Sequence, residues 1–193
     1  MEDRNRQISD LDTQFNIGQE LVNRLEIYFA NNESQMDLTA QEDVQSIMDC
    51  LPDNLKVELT MHVNASYIQG IEFLRNRPQK FYLDVLADNK LSPMRFDQDD
   101  IIFSVGQVAR EVYLIVNGEI LNETTKRLFK SGAMVGHEDI VHDRKRDCTV
   151  KANSEVWTLK MEKETLEKIF EDYPEIKYDM IKRATRRDHY FNF

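Results

Sequence analysis

Ile17, Leu21, Leu25, Tyr28 and Phe29 recur at the three- and four-residue spacing that lines up one stripe of a helix, and Asn31-Asn32 supplies a stop. A first amphipathic helix is therefore expected from Gln14 to Ala30. Thr39-Ala40-Gln41-Glu42 has capping-box spacing, and Val44, Ile47, Met48 and Leu51 continue as an apolar stripe, so a second helix is expected from Leu38 to Leu51. Pro52 opens a third, carried by Leu55, Leu59 and Val63, and Tyr67, Ile68 and Ile71 add a short turn ending near Gly70. After Pro78, the spacing of Phe81, Leu83, Val85 and Leu86 predicts one more short helix.

From Pro93 the period falls to two. Met94 to Phe96, Ile101 to Phe103, Val112 to Val116 and Glu119 to Leu121 are short strand-type runs, broken by Asp97 to Asp100, Gly106 and Asn117-Gly118. Lys126 to Phe129, Cys148 to Ala152 and Glu155 to Met161 complete a small barrel, with Trp157 and Leu159 expected to share a core-facing side of the last strand. Helical spacing then returns in Leu166, Ile169 and Phe170, and Pro174 opens a second helix that carries Ile176, Met180 and Ile181. The predicted class is α+β: a helical arm over residues 1–75, then a jelly-roll-like β-roll over 76–193 with flanking C-terminal helices, the boundary falling near 72–80.

The 193 residues suffice for one full core and a helical appendage. Cys50 and Cys148 lie far apart without metal-ligand spacing, which fits buried thiols in a reducing compartment. No run approaches the roughly 20 apolar residues of a membrane span, and Met1 to Asp10 is polar rather than a signal sequence. A net charge of −10 argues against a nucleic-acid partner. Positive charge is nevertheless clustered at Arg144-Lys145-Arg146 and at Lys182, Arg183, Arg186 and Arg187.

The first of those clusters follows a glycine turn. In Val135-Gly136-His137-Glu138-Asp139-Ile140-Val141 and the basic run after it, glycine brings the backbone close to an anion and arginine offers a charge-assisted fork. That is a way to hold a phosphate. No paired nucleophile and base, no metal cluster and no triphosphate loop accompanies it, so an enzyme is not expected. His142 and His189 have no ligand partners at metal spacing.

The order Phe96, Asp99, Ile101, Ile102, Gly106, Val112-Tyr113-Leu114-Ile115, Gly118, Gly136 and Arg146, ending in Tyr173-Pro174, resembles the cyclic-nucleotide-binding domain. The helices before it resemble the C-linker that joins pore and domain in hyperpolarisation-activated, cyclic-nucleotide-gated and ether-à-go-go-type channels. Kinase regulatory subunits, which also use the roll, have a different leader. The resemblance implies the cytoplasmic portion of a tetrameric cation channel, with potassium the expected ion. It also implies cAMP or cGMP as candidate ligand, and the chain's own pore domain and neighbouring subunits as partners in a homotetramer. Leu21 and Tyr28 are candidates for contacts between subunits, beside ordinary packing within the chain.

The family's phosphate cassette reads Phe-Gly-Glu, then about eight residues, then Arg followed by Thr or Ser. Gly136 and Arg146 fit that pattern; His137 stands at the ribose-binding glutamate and Asp147 at the hydroxyl. An imidazole can still make one bond to a ribose hydroxyl. A carboxylate about 5 Å from a phosphate opposes it by about 3 kcal/mol at an effective dielectric near 20, roughly a hundredfold in affinity. Pairing of Asp147 with Arg144 or Lys145 would offset this, as would an outward turn of Asp147. A one-residue slip would bring Glu138 to the glutamate's place. Two functions stay open: a regulator whose lid helix, through Met180, Ile181 and Ala184, closes over bound nucleotide and moves the C-linker, or a homology domain with a degenerate pocket that serves assembly and interaction. In ether-à-go-go-type channels a segment after the last helix fills the pocket, and Tyr190-Phe191-Asn192-Phe193 is loosely similar in makeup.

Overall fold

The computed structural model describes the backbone of residues 2–32, 50–87 and 90–190, and the side chains of 6–30, 50–86 and 90–182. The chain forms two compact units, one from residues of 1–68 and 76–89, the other from 69–75 and 90–193.

In the first unit, helix α1 (Glu2–Phe15) packs on α2 (Gln19–Asn32). The single helix expected from Gln14 is interrupted: Asn16 and Gly18 take φ of 49° and 88°, and Gly18 donates its amide to Asp12 Oδ1 at 3.1 Å. A left-handed pair of this kind ends one helix and re-aims the chain into the next. The stripe of α1 is sparse, chiefly Ile8 and Leu11, which is why periodicity alone does not reveal it. Both enter a core with Ile17, Leu21, Leu25, Phe29, Leu51, Leu55 and Leu59. Leu21 is therefore interior, and Tyr28 packs against the same core with its hydroxyl on the Cys50 carbonyl at 2.8 Å. Leu21 therefore has no exposed surface to offer a subunit contact, a correction to the expectation above, whereas Tyr28 is half-buried. Each fully buried leucine of this set contributes about 1.5–3 kcal/mol of transfer free energy.

Pro52 caps α3 (Asp53–Val63) from outside, its carbonyl accepting the amides of Leu55 and Lys56. A short α4 (Ala65–Gly70) follows, and α5 (Gln79–Tyr82) runs on into a π turn, Leu83–Ala87, against which α3 packs. The helix expected from Leu38 to Leu51 lies, except for its last two residues, outside the described residues.

The second unit is a roll of two antiparallel four-stranded sheets. One has the order β1-β8-β3-β6 and the other β2-β7-β4-β5, where β1 is Leu91–Phe96, β2 Ile101–Phe103, β3 Glu111–Asn117, β4 Glu119–Asn122, β5 Leu128–Lys130, β6 Met134–Val135, β7 Val150–Ala152 and β8 Val156–Glu162. The Asn117-Gly118 turn joins β3 to β4, Gly118 taking the positive φ of 94° that this tight connection needs. Between the sheets lie Ile102, Phe103, Tyr113, Ile115, Ile120, Val135, Val150 and Val156. Strand β3 is buried at four successive positions, Val112 to Ile115. Tyr113 and Ile115 face the sandwich, and on the strand's other side packs a short helix, α6 (His137–Val141), so the run is apolar rather than alternating.

Helices α7 (Lys163–Asp172) and α8 (Pro174–Tyr190) close the unit, α7 against β8 and α8 against both α7 and α6. Trp157 departs from its expected core position. It is 46% exposed, opposite the bulge in β3 between Ile115 and Asn117, with Arg95 stacked at 5.7 Å and its indole N–H on Glu155 at 3.1 Å.

Candidate functional site

The β6–α6 junction turns at Gly136, which has φ 82° and ψ 0°. Two constraints demand glycine here. A side chain is strained in this left-handed region, and a Cβ would lie 2.7 Å from Arg146 Nη1. Arg146 is anchored at its main chain, its amide donating to the Gln107 carbonyl and its carbonyl accepting from the Gly106 amide, both at 2.8 Å. Its guanidinium is fully buried. Nη1 donates to the Gly136 carbonyl at 2.6 Å and Nη2 to the Glu111 carbonyl, while the ring of Phe103 lies 4.1 Å beneath. Nε has no acceptor. The Glu111 and Asp139 carboxylates each stand 3.6 Å from the guanidinium nitrogens, which compensates a charge that burial otherwise penalises.

Asp139, on α6, is 4% exposed. Its Oδ1 accepts from Arg144 Nε at 2.9 Å, and Arg144 Nη2 reaches on to Asp147 Oδ2, also at 2.9 Å. Burial raises the Asp139 carboxyl above its ordinary pKa, although the Arg144 hydrogen bond pulls the other way. Of the arrangements open to Asp147, pairing with Arg144 is the one adopted, with the side chain half exposed.

Beside this cluster is a cavity of about 190 Å³, below the roughly 300–1,000 Å³ usual for small-molecule clefts. Gly136, His137, Glu138 and Asp147 all line it, with Asp139 among them. Arg146 does not. The cation on the wall is Arg127, stacked 4.7 Å above Phe129. Cys148 also lines the space, its sulfur accepting from Asn122 Nδ2 at 3.2 Å; burial, then the neighbouring Asp147, push its thiol up to about 12. Met180 is buried on α8 and Ile181 half-buried, and neither reaches the cavity wall. The side chain of Ala184, and residues 191–193 of the aromatic tail, lie outside the described residues.

Asp139, Glu111, Phe103 and Arg127 were not picked out from the sequence. The acidic pair 138–139 followed by the basic run 144–146 signals an ion cluster, but spacing alone does not say which acid meets which base.

Residues 93–173 match the family described as cyclic nucleotide-binding domain. The chain is 25% identical over 180 residues to the cyclic nucleotide-gated channel beta-3 of Canis lupus familiaris, covering 89% of this chain and 22% of that protein. It is 22% identical over 153 residues to the beta-1 protein of Bos taurus, covering 75% and 11%. It thus spans about a fifth or less of the curated relatives it matches. Among solved structures, a regulatory subunit of a cAMP-independent protein kinase A from Trypanosoma brucei superimposes with a TM-score of 0.54 at 20% identity, over 67% of this chain and 48% of that one. That likeness shows the fold. Residues 93–173 are thus similar to the cyclic nucleotide-binding domain, and the chain has low-identity similarity to channel beta subunits. Among the described residues no helix is long and apolar enough to cross a membrane.

Proposed function

We propose that this chain is the cytoplasmic regulatory part of a tetrameric cation-channel subunit, a C-linker-type arm over 1–75 joined to a roll over 76–193. In this reading the roll is an assembly and interaction module whose niche no longer accepts cAMP or cGMP. One observation carries it: Arg146, the residue placed to pair with a cyclic phosphate, is fully buried on two carbonyl groups and absent from the cavity wall, while Glu138, Asp139 and Asp147 are present there. An anion entering the cavity meets three carboxylates and one guanidinium, that of Arg127.

Calorimetric titration and thermal shift with cAMP and cGMP at millimolar concentration test this. A ligand at a hundred times its dissociation constant adds about 2.7 kcal/mol of stability, so binding is readily seen. No shift and no heat are expected, and a saturable response to either nucleotide overturns the reading.

A second reading, nucleotide binding coupled through the arm to a pore, is favoured by the Arg146 Nε, a buried donor without an acceptor. A phosphate oxygen would supply one. In that case the titration gives a saturable response and Arg146→Glu abolishes it.

A further inference from the structure

We infer that Asp139 is the residue that sets the niche against anionic ligands. The inference rests on the reading that the niche refuses cyclic nucleotide, and it names the cause.

Three carboxylates, those of Glu111, Asp139 and Asp147, face two guanidiniums, those of Arg144 and Arg146, and the cavity wall adds one charge of each sign, Glu138 and Arg127, so the set carries a negative charge before any ligand arrives. The carboxylates differ in kind. Asp147 is 51% exposed at its side chain, where water screens it and rotation can carry it away. Glu111 lies off the cavity wall. Asp139 is on the wall, 5% exposed at its side chain, and held there from two directions, by Arg144 at 2.9 Å and Arg146 at 3.6 Å. Water screens it little, and the two arginines fix its position. It also engages Arg146, the arginine that a phosphate would need, so it occupies electrostatically the place that a ligand anion takes in an open cassette. A fixed carboxylate about 5 Å from a phosphate lowers affinity roughly a hundredfold.

The test uses the whole chain with cAMP and cGMP as probes, in wild type, Asp139→Ala, Asp139→Asn, Asp147→Ala and the double variant Asp139→Ala/Asp147→Ala. Asp139→Asn keeps the shape and a hydrogen bond to Arg144, which guards against loss of fold in the alanine variants; near-ultraviolet circular dichroism checks each. Expected is no wild-type response, little change in Asp147→Ala, and a gain of about a hundredfold in affinity on neutralising Asp139. If the folded Asp139 variants respond no better than wild type, or if Asp147→Ala alone gives the full gain, this assignment is overturned while the closed-niche reading stands. If wild type itself binds, the closed-niche reading falls and this assignment with it.

Discussion

The Gly136 carbonyl accepts the Arg146 guanidinium at 2.6 Å, and the same approach leaves no room for a Cβ on Gly136. The turn and the buried cation are thus one device. Gly136→Ala forces a side chain into the left-handed region and against Nη1, and a loss of about 1–3 kcal/mol is expected. Urea denaturation measures it as a lower midpoint at unchanged slope.

Arg146→Ala separates a structural arginine from one held in reserve for a ligand. Two carbonyl groups lose their donor, the Glu111 carboxylate loses the guanidinium beside it and Asp139 keeps Arg144 alone, so a cost of about 3–5 kcal/mol is expected in the absence of any nucleotide. A loss below about 1 kcal/mol in the same denaturation experiment contradicts the burial described above.

The roll was legible in the sequence because its strands carry period-two runs bounded by Gly106, Gly118 and the Asp97 to Asp100 turn. Helix α3 was legible from Pro52 and the Leu55, Leu59, Val63 stripe. Three things were not. Helix α1 shows little more than Ile8 and Leu11 as a stripe, too few to stand out against fourteen largely polar residues. The two-residue β6 is shorter than any period. Trp157 shares with Leu159 the face away from Val156, yet it stays 46% exposed, opposite a bulge in β3 and stacked on Arg95. At the site, Gly136 and Arg146 were marked by local chemistry, whereas Glu111 and Phe103 reach Arg146 only through sheet topology.

Asp139 predicts a pH dependence with a definite sign. Its folded pKa is raised above the ordinary 3.8, chiefly by burial, so the native state holds the proton more tightly than the unfolded chain. Stability from this group is therefore lost as pH rises through the interval between those two values. Asp139→Asn removes the titration. Its melting temperature relative to wild type is expected to climb as pH rises above the ordinary value of 3.8, and a difference that stays flat contradicts the assignment.

The two cysteines should react unequally. Cys50 is partly exposed, whereas Cys148 is buried, with a thiol pushed from 9.0 up to about 12. At a given pH that leaves about a thousandfold less thiolate, the reactive species. Iodoacetamide at mildly alkaline pH should label Cys50 alone, with Cys148 labelled only after denaturation, as read by peptide mass spectrometry. Because the folded pKa is the higher, ionisation of Cys148 also withdraws stability as pH climbs from 9.0 toward about 12.

Trp157 is the sole tryptophan, which makes its surroundings directly observable. It is 46% exposed, so acrylamide should quench much of the native fluorescence and the emission should lie toward the red of a buried indole. Arg95 covers one ring face and is itself tied to Glu155 at 3.1 Å. An exposed cation–π contact contributes about 0.5–1 kcal/mol, so Arg95→Ala should cost no more than that while raising the quenching constant. A blue-shifted, poorly quenched native spectrum would instead place the indole inside the sandwich, and with it a register for β8 in which every outward residue named here faces the core.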